Sequence, residues 1–139
     1  VFHIKGADFG KAGCVSLEIK DILHDLGVDL SIVRRAAIAA YEAEMNVVMY
    51  ADKGEMILRL NPDIIRITIE DMGPGIKDIE LAMQEGYSTA TDQMREMGFG
   101  AGMGLPNIKK NADLFKLKSR VGQGTSYDIV FHLNPKEQT

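Results

Sequence analysis

Ile64-Ile65-Arg66-Ile67-Thr68-Ile69-Glu70, followed at once by Asp71-Met72-Gly73-Pro74-Gly75, sets the frame for the whole chain. The first seven residues alternate and are rich in β-branched side chains, the pattern of a strand. The next five put an acidic residue at the strand's end and a tight glycine turn behind it. Further on, Gly98-Phe99-Gly100-Ala101-Gly102-Met103-Gly104 runs directly into a helix-like segment from Leu105 to Asp113. A strand-end carboxylate can accept a hydrogen bond from an exocyclic amine. Glycines let backbone N–H groups approach phosphates with no Cβ in between. Together these features point to a purine nucleotide site.

Upstream, Glu55-Met56-Ile57-Leu58-Arg59-Leu60 and the turn Asn61-Pro62-Asp63 make the 64–70 strand one arm of a hairpin. Phe2 to Lys5 alternates as a first strand. Val15, Ile19, Ile22, Leu23 and Leu26 recur at helical spacing, with Gly27 as the stop. Ser31 is read as the N-cap of a long second helix reaching Tyr50 or Ala51. Downstream, Asp78 to Glu85 reads as a short helix with Ile79, Ala82 and Met83 inward, and Pro106 suits the first turn of a third major helix. Phe115 to Arg120 and Ser126 to Leu133 form a last strand pair around Gly122-Gln123-Gly124. Helices alternating with hairpins, and not with single strands, predict an α/β two-layer sandwich instead of a doubly wound sheet.

The 139 residues are expected to form one domain, 1–139, with 45% apolar and 26% charged residues as in ordinary globular proteins. A net charge of −4 and a pI near 5.3 argue against a nucleic-acid partner. Arg34-Arg35 and Lys109-Lys110 are too short to reverse that. The one cysteine, Cys14, cannot close an internal disulfide and is read as a buried small side chain. No apolar run approaches membrane-span length, and the start lacks a signal peptide's layout, so no membrane association and a cytoplasmic location are expected. His3, His24 and His132 have no metal-ligand spacing.

On the second helix, Val33, Ala36, Ala37, Ala40, Val47, Val48 and Ala51 share one stripe, its alanines implying close approach to the sheet. Glu42 and Asn46 are four apart and stack on another face. An amide oxygen can serve Mg²⁺, and a glutamate beside it can orient or deprotonate a nucleophile. Taken alone, such a pair reads as a solvated helix face. Glu44 falls near the centre of the apolar stripe, where a charge needs a partner. Arg59 or Arg66 is the expected partner, with a rotated helix or a functional role as alternatives.

These residues resemble a known family. Glu42-Ala43-Glu44-Met45-Asn46 looks like the N-box of the GHKL superfamily of gyrase, histidine kinase and mismatch-repair ATPases. Asp71-x-Gly73-x-Gly75 resembles its G1 box, Gly98 to Gly104 its G2 region, and Gly122-Gln123-Gly124-Thr125 its late Gly-x-Gly-Thr segment. Tyr50 to Gly54, Glu85 to Thr89 and Gly104 to Lys110 are similar to the small stand-alone serine/threonine kinases and anti-sigma factors of bacteria. The resemblance implies a histidine-kinase-like ATPase fold, a mixed and largely antiparallel sheet covered on one face by about three helices.

It further implies Glu42 as general base, Asn46 as Mg²⁺ ligand and nucleotide contact, and Asp71 as hydrogen-bond acceptor of the adenine amine, helped by Thr125. Gly73 and Gly75 would shape the purine pocket. Gly98, Gly100, Gly102 and Gly104 would form the phosphate lid, with Leu105 opening the helix whose N-terminus faces phosphate. Sporulation-type anti-sigma kinases carry an arginine before the lid's Gly-x-Gly where this chain has Gly100, so a lid arginine would have to come from Arg95. Glu44 stands where relatives have a small or apolar residue.

The function expected is an ATP- and Mg²⁺-dependent serine/threonine protein kinase acting as an anti-sigma or partner-switching regulator. Its partner would be a sigma factor or an anti-sigma antagonist-like protein, and a homodimer is left open. The competing reading is a non-catalytic clamp that senses ATP or ADP, its lid gating partner binding. A catalytic module of a histidine kinase ranks third, for want of a substrate histidine helix.

Overall fold

The computed structural model describes residues 1–76, 83–84 and 104–133. Strands β1 (Phe2–Lys5), β2 (Lys53–Leu60), β3 (Ile64–Met72), β4 (Leu114–Arg120) and β5 (Gly124–His132) form one sheet in the order β1-β2-β3-β5-β4. Every pairing among them is antiparallel. Helices α1 (Cys14–Asp25), α2 (Leu30–Tyr50) and α3 (Gly104–Asn111) lie on one face. This is the two-layer sandwich that the alternation of helices and hairpins predicts. The predicted 78–85 helix falls outside the described residues except for Met83, half-buried against the core, and Gln84, which is exposed.

The hairpin turns follow their sequences. Asn61 Oδ1 accepts from the N–H groups of Asp63 at 2.8 Å and Ile64 at 2.9 Å, so the asparagine side chain builds the β2–β3 turn. Along β3, Ile65, Ile67 and Ile69 point to the helices and Arg66, Thr68 and Glu70 point away. The same alternation puts Tyr127, Ile129 and Phe131 of β5 inward. A row of buried Ile69 and Tyr127 and half-buried Leu117 therefore crosses three strands in register, with Thr125 and Ser119 one step beyond it on the same face. Asp71 continues the inward side of β3 to that level, so the apolar layer ends in a polar rim.

α2 lies between its two neighbours, antiparallel to each. On one flank Arg35 donates to the carbonyl of Asn111 at 2.8 Å and pairs with Asp113 at 2.9 Å, pinning the C-terminal end of α3. Two turns further along α2, Glu42 and Asn46 meet the beginning of α3. On the opposite flank Glu44, 2% exposed, meets α1. Flanked on both sides, α2 buries more than one stripe: Ile32, Ala39, Ala43 and Met45 join the predicted set, while Ala37 is only half-buried.

Four expectations are corrected. Glu44 takes no arginine; it accepts from the backbone N–H groups of Gly13 at 3.0 Å, Val15 at 3.2 Å and Ser16 at 2.9 Å, capping α1. Arg66 is engaged with Asp128 across the outer face, and Arg59 with Thr68. Cys14 is exposed, because it opens α1 on the side facing away from α2. Leu26, 62% exposed, lies beyond the last buried turn of α1. Finally, Asp29 rather than Ser31 caps α2, its carboxylate accepting from both the N–H and the hydroxyl of Ser31. Those two bonds also hold the Asp29 carboxyl below its ordinary pKa.

Candidate functional site

The two halves of the site arise on different elements. The first is at the end of β3. Asp71 is half-buried on the inward face, and its Oδ1 accepts from the N–H of Thr125 at 2.9 Å. Burial pushes its carboxyl above the ordinary aspartate value, opposed by the N–H groups of Thr125 and Gly73. Thr125 is itself buried, its hydroxyl 2.9 Å from that of Ser119. Ser119 Oγ also accepts from the N–H of Ile76 at 2.7 Å, tying the chain after the glycine turn to β4.

The turn itself needs its glycines. Gly75 has φ of +77°, and a Cβ there would collide with the carbonyl of Arg120. Gly73 approaches α2 so closely that its Cβ would lie 3.1 Å from Ala51 Cα. We expect Gly75→Ala to lower stability by about 2 kcal/mol, from left-handed strain plus the clash. A melting temperature within 1 °C of the parent's would contradict that.

The second half is at the junction of α2 and α3. A Cβ built on Gly104 would lie 3.3 Å from both Glu42 Oε2 and Asn46 Oδ1, so the start of α3 rests directly on that pair. Glu42 also hydrogen-bonds the side chain of Asn107, one turn into α3. Burial raises the Glu42 carboxyl above its ordinary pKa, with the Asn107 bond working against the shift. Asn46 donates from Nδ2 to the Tyr127 hydroxyl at 3.4 Å. The pair is thus half-buried against α3 and β5, not a solvated face as its spacing alone suggests. Leu105 is 6% exposed with its side chain in the core, so the side chain itself is packing and only its backbone remains for a site.

Tyr127 joins the halves. It is 2% exposed, hydrogen-bonded to Asn46, and its pKa is raised by burial and by the charge of Asp71. Through Tyr127, the Glu42, Asn46 and Gly104 junction is connected to Asp71, Thr125 and the Gly73–Gly75 turn. Gly98, Gly100 and Gly102 lie outside the described residues, as does Arg95. Sequence reasoning missed Asn107, Ser119 and Tyr127. Ser119 and Tyr127 were detectable only as polar groups on inward strand positions, and Asn107 as a residue one turn past Gly104.

An ATPase is the class of protein this arrangement belongs to: the chain is a member of the histidine kinase-, DNA gyrase B-, and HSP90-like ATPase family, whose profile matches residues 32–137. That span runs from α2 through β5 and leaves out β1 and α1. The chain is 32% identical over 115 residues to the serine/threonine-protein kinase RsbT of Bacillus subtilis, a match covering 80% of each. It is 28% identical over 101 residues to the anti-sigma F factor of Anoxybacillus flavithermus, covering 73% of this chain and 62% of that one. With the anti-sigma F factor of Pasteuria penetrans it shares 34% identity over 97 residues, 64% of this chain and 61% of that relative. No helix among the described residues is long and apolar enough to cross a membrane.

Proposed function

We propose that this chain is an ATP-binding serine/threonine protein kinase that regulates a partner protein by phosphorylating it and by holding it. The observation carrying this reading is the meeting of Glu42 and Asn46 at Gly104, beside the N-terminus of α3. Similarity to a protein named as a serine/threonine kinase and to two named as anti-sigma factors supports both the chemistry and the partner switching. The partner would be a sigma factor or an anti-sigma antagonist-like protein, met in the cytoplasm.

In this reading Asp71 accepts from the adenine amino group, with Thr125 beside it, while Gly73 and Gly75 shape the purine-facing turn. The N–H groups of Gly104 and Leu105 face phosphate, together with Gly98, Gly100 and Gly102. Asn46 Oδ1 and Glu42 Oε2 both lie 3.3 Å from where a Cβ on residue 104 would sit, so an amide oxygen and a carboxylate oxygen, the donor types a small hard cation takes, face the start of α3 together. No cluster of three His, Cys, Asp or Glu occurs among the described residues, so Asn46 would hold Mg²⁺ with phosphate and water oxygens completing its shell. Bound Mg²⁺ would supply neutralisation of the triphosphate charge. Glu42 would accept the proton of the attacking serine hydroxyl. That oxygen bonds to the terminal phosphorus as the phosphorus–bridging oxygen bond breaks and ADP leaves.

Labelled ATP, Mg²⁺ and candidate partners provide the test. Label on a partner serine is expected; nucleotide-dependent association without label would establish the clamp instead. Asp71→Asn is expected to weaken ATP binding roughly 10- to 100-fold, because an amide NH₂ would meet the adenine amine or release Thr125. Calorimetry giving the parent affinity would remove Asp71 from the adenine pocket.

A further inference from the structure

The Tyr127 hydroxyl belongs to no motif. Its ring is packed in register between Ile69 and Leu117 and stacks on Phe115, with centroids 6.4 Å apart. A phenylalanine would fill that slot and leave no polar atom needing a partner. The hydroxyl instead faces the helices and takes the Nδ2 end of Asn46 at 3.4 Å. An amide has one donor end and one acceptor end. With its NH₂ on the tyrosine, Asn46 brings Oδ1 nearer the Gly104 position than Nδ2, 3.3 against 3.8 Å from a Cβ built there, beside Glu42 Oε2 at 3.3 Å.

We propose that Tyr127 is a positioning residue whose hydroxyl fixes the Asn46 amide with its oxygen turned toward Gly104, the orientation a nucleotide-bound divalent cation requires. The proposal rests on the Mg²⁺ and ATP reading above and adds a residue to it. Reversing the amide would point two N–H donors at the cation, so losing the hydroxyl weakens the metal's contribution and spares the nucleoside's.

The test is ATP binding followed by calorimetry across a Mg²⁺ series, for the wild type and Tyr127→Phe. The Mg²⁺ concentration giving half-maximal enhancement is expected to rise about three- to tenfold in Tyr127→Phe, the scale of one net hydrogen bond. ATP binding in EDTA should stay within twofold. An unchanged Mg²⁺ midpoint, or an equal loss with and without Mg²⁺, overturns the role. In an Asn46→Asp background the carboxylate offers oxygen either way round, so Tyr127→Phe should shift the midpoint no further; a further shift overturns the role too. On the wild type itself, NMR should show a nuclear Overhauser contact between the Asn46 side-chain NH₂ protons and the Tyr127 ring. Its absence overturns the orientation whatever the variants do. A wild type whose ATP binding ignores Mg²⁺ overturns the underlying reading; one that responds, with Tyr127→Phe responding equally, overturns only the tyrosine's part.

Discussion

Glu42→Gln is expected to slow phosphoryl transfer by about 10²- to 10⁴-fold, the usual contribution of a positioned general base, while ATP affinity stays within about threefold. The amide keeps the shape of the side chain and one acceptor for Asn107, but it cannot take a proton. Any transfer by the parent protein should fall as pH drops through the Glu42 pKa. Burial holds that pKa above the ordinary glutamate value, so the acid limb should lie higher than for an exposed glutamate. Parent-like transfer by Glu42→Gln would remove Glu42 as the base.

The same substitution should stabilise the protein. A carboxyl whose folded pKa is raised favours folding when protonated, so its contribution is complete below the unfolded pKa and is lost as pH rises through the folded one. At neutral pH the parent carries a charged Glu42 in a half-buried place. Glu42→Gln should therefore melt about 3 °C higher there, with the difference vanishing in acid below the ordinary glutamate value. Asp71 is shifted in the same direction, by burial first. Both ends of the site thus cost stability at the pH where they would work. Residues selected only for folding would not be arranged so, which favours a functional account of both carboxylates.

Why was so much of this readable from sequence, and where did reading stop? Strand alternation and hairpin turns are local, and they located all five strands to within two residues. The helix spacing of Glu42 and Asn46 put them on one face, but local periodicity says nothing about which neighbour covers that face. α3 covers it because Arg35 grips its far end, a contact between residues distant in the chain. Tyr127 and Ser119 were legible as inward positions only; their hydroxyl partners depend on which strands pair, and β5 inserts between β3 and β4 out of sequence order. The glycines of the lid, the strongest sequence signal after Asp71, fall largely outside the described residues, so the phosphate half rests on Gly104.

Glu44 shows the same limit most sharply, and it carries the largest expected change in stability. Helical spacing correctly placed it inside the apolar stripe, and charge reasoning correctly demanded a partner. The partner is a set of backbone N–H groups, which leave no trace in composition: the first turn of a helix has donors with no intrahelical acceptor. Glu44 satisfies three of them from 28 or more residues away, and no side chain in α1 caps its own N-terminus. The geometry favours a carboxylate twice, through charge-assisted bonds and through the positive end of the helix dipole. Glu44→Ala would orphan all three donors and open a cavity at the α1–α2 contact. We expect a loss of about 3 kcal/mol, or a melting temperature roughly 10 °C lower. Glu44→Gln should recover less than half, since its NH₂ would face donors. Because the three lost bonds all hold the start of α1, hydrogen exchange should accelerate first in Cys14–Asp25, ahead of the sheet. Uniform acceleration across the chain, or a melting temperature within 2 °C of the parent's, would mean that α1 is held by Ile19 and Leu23 alone.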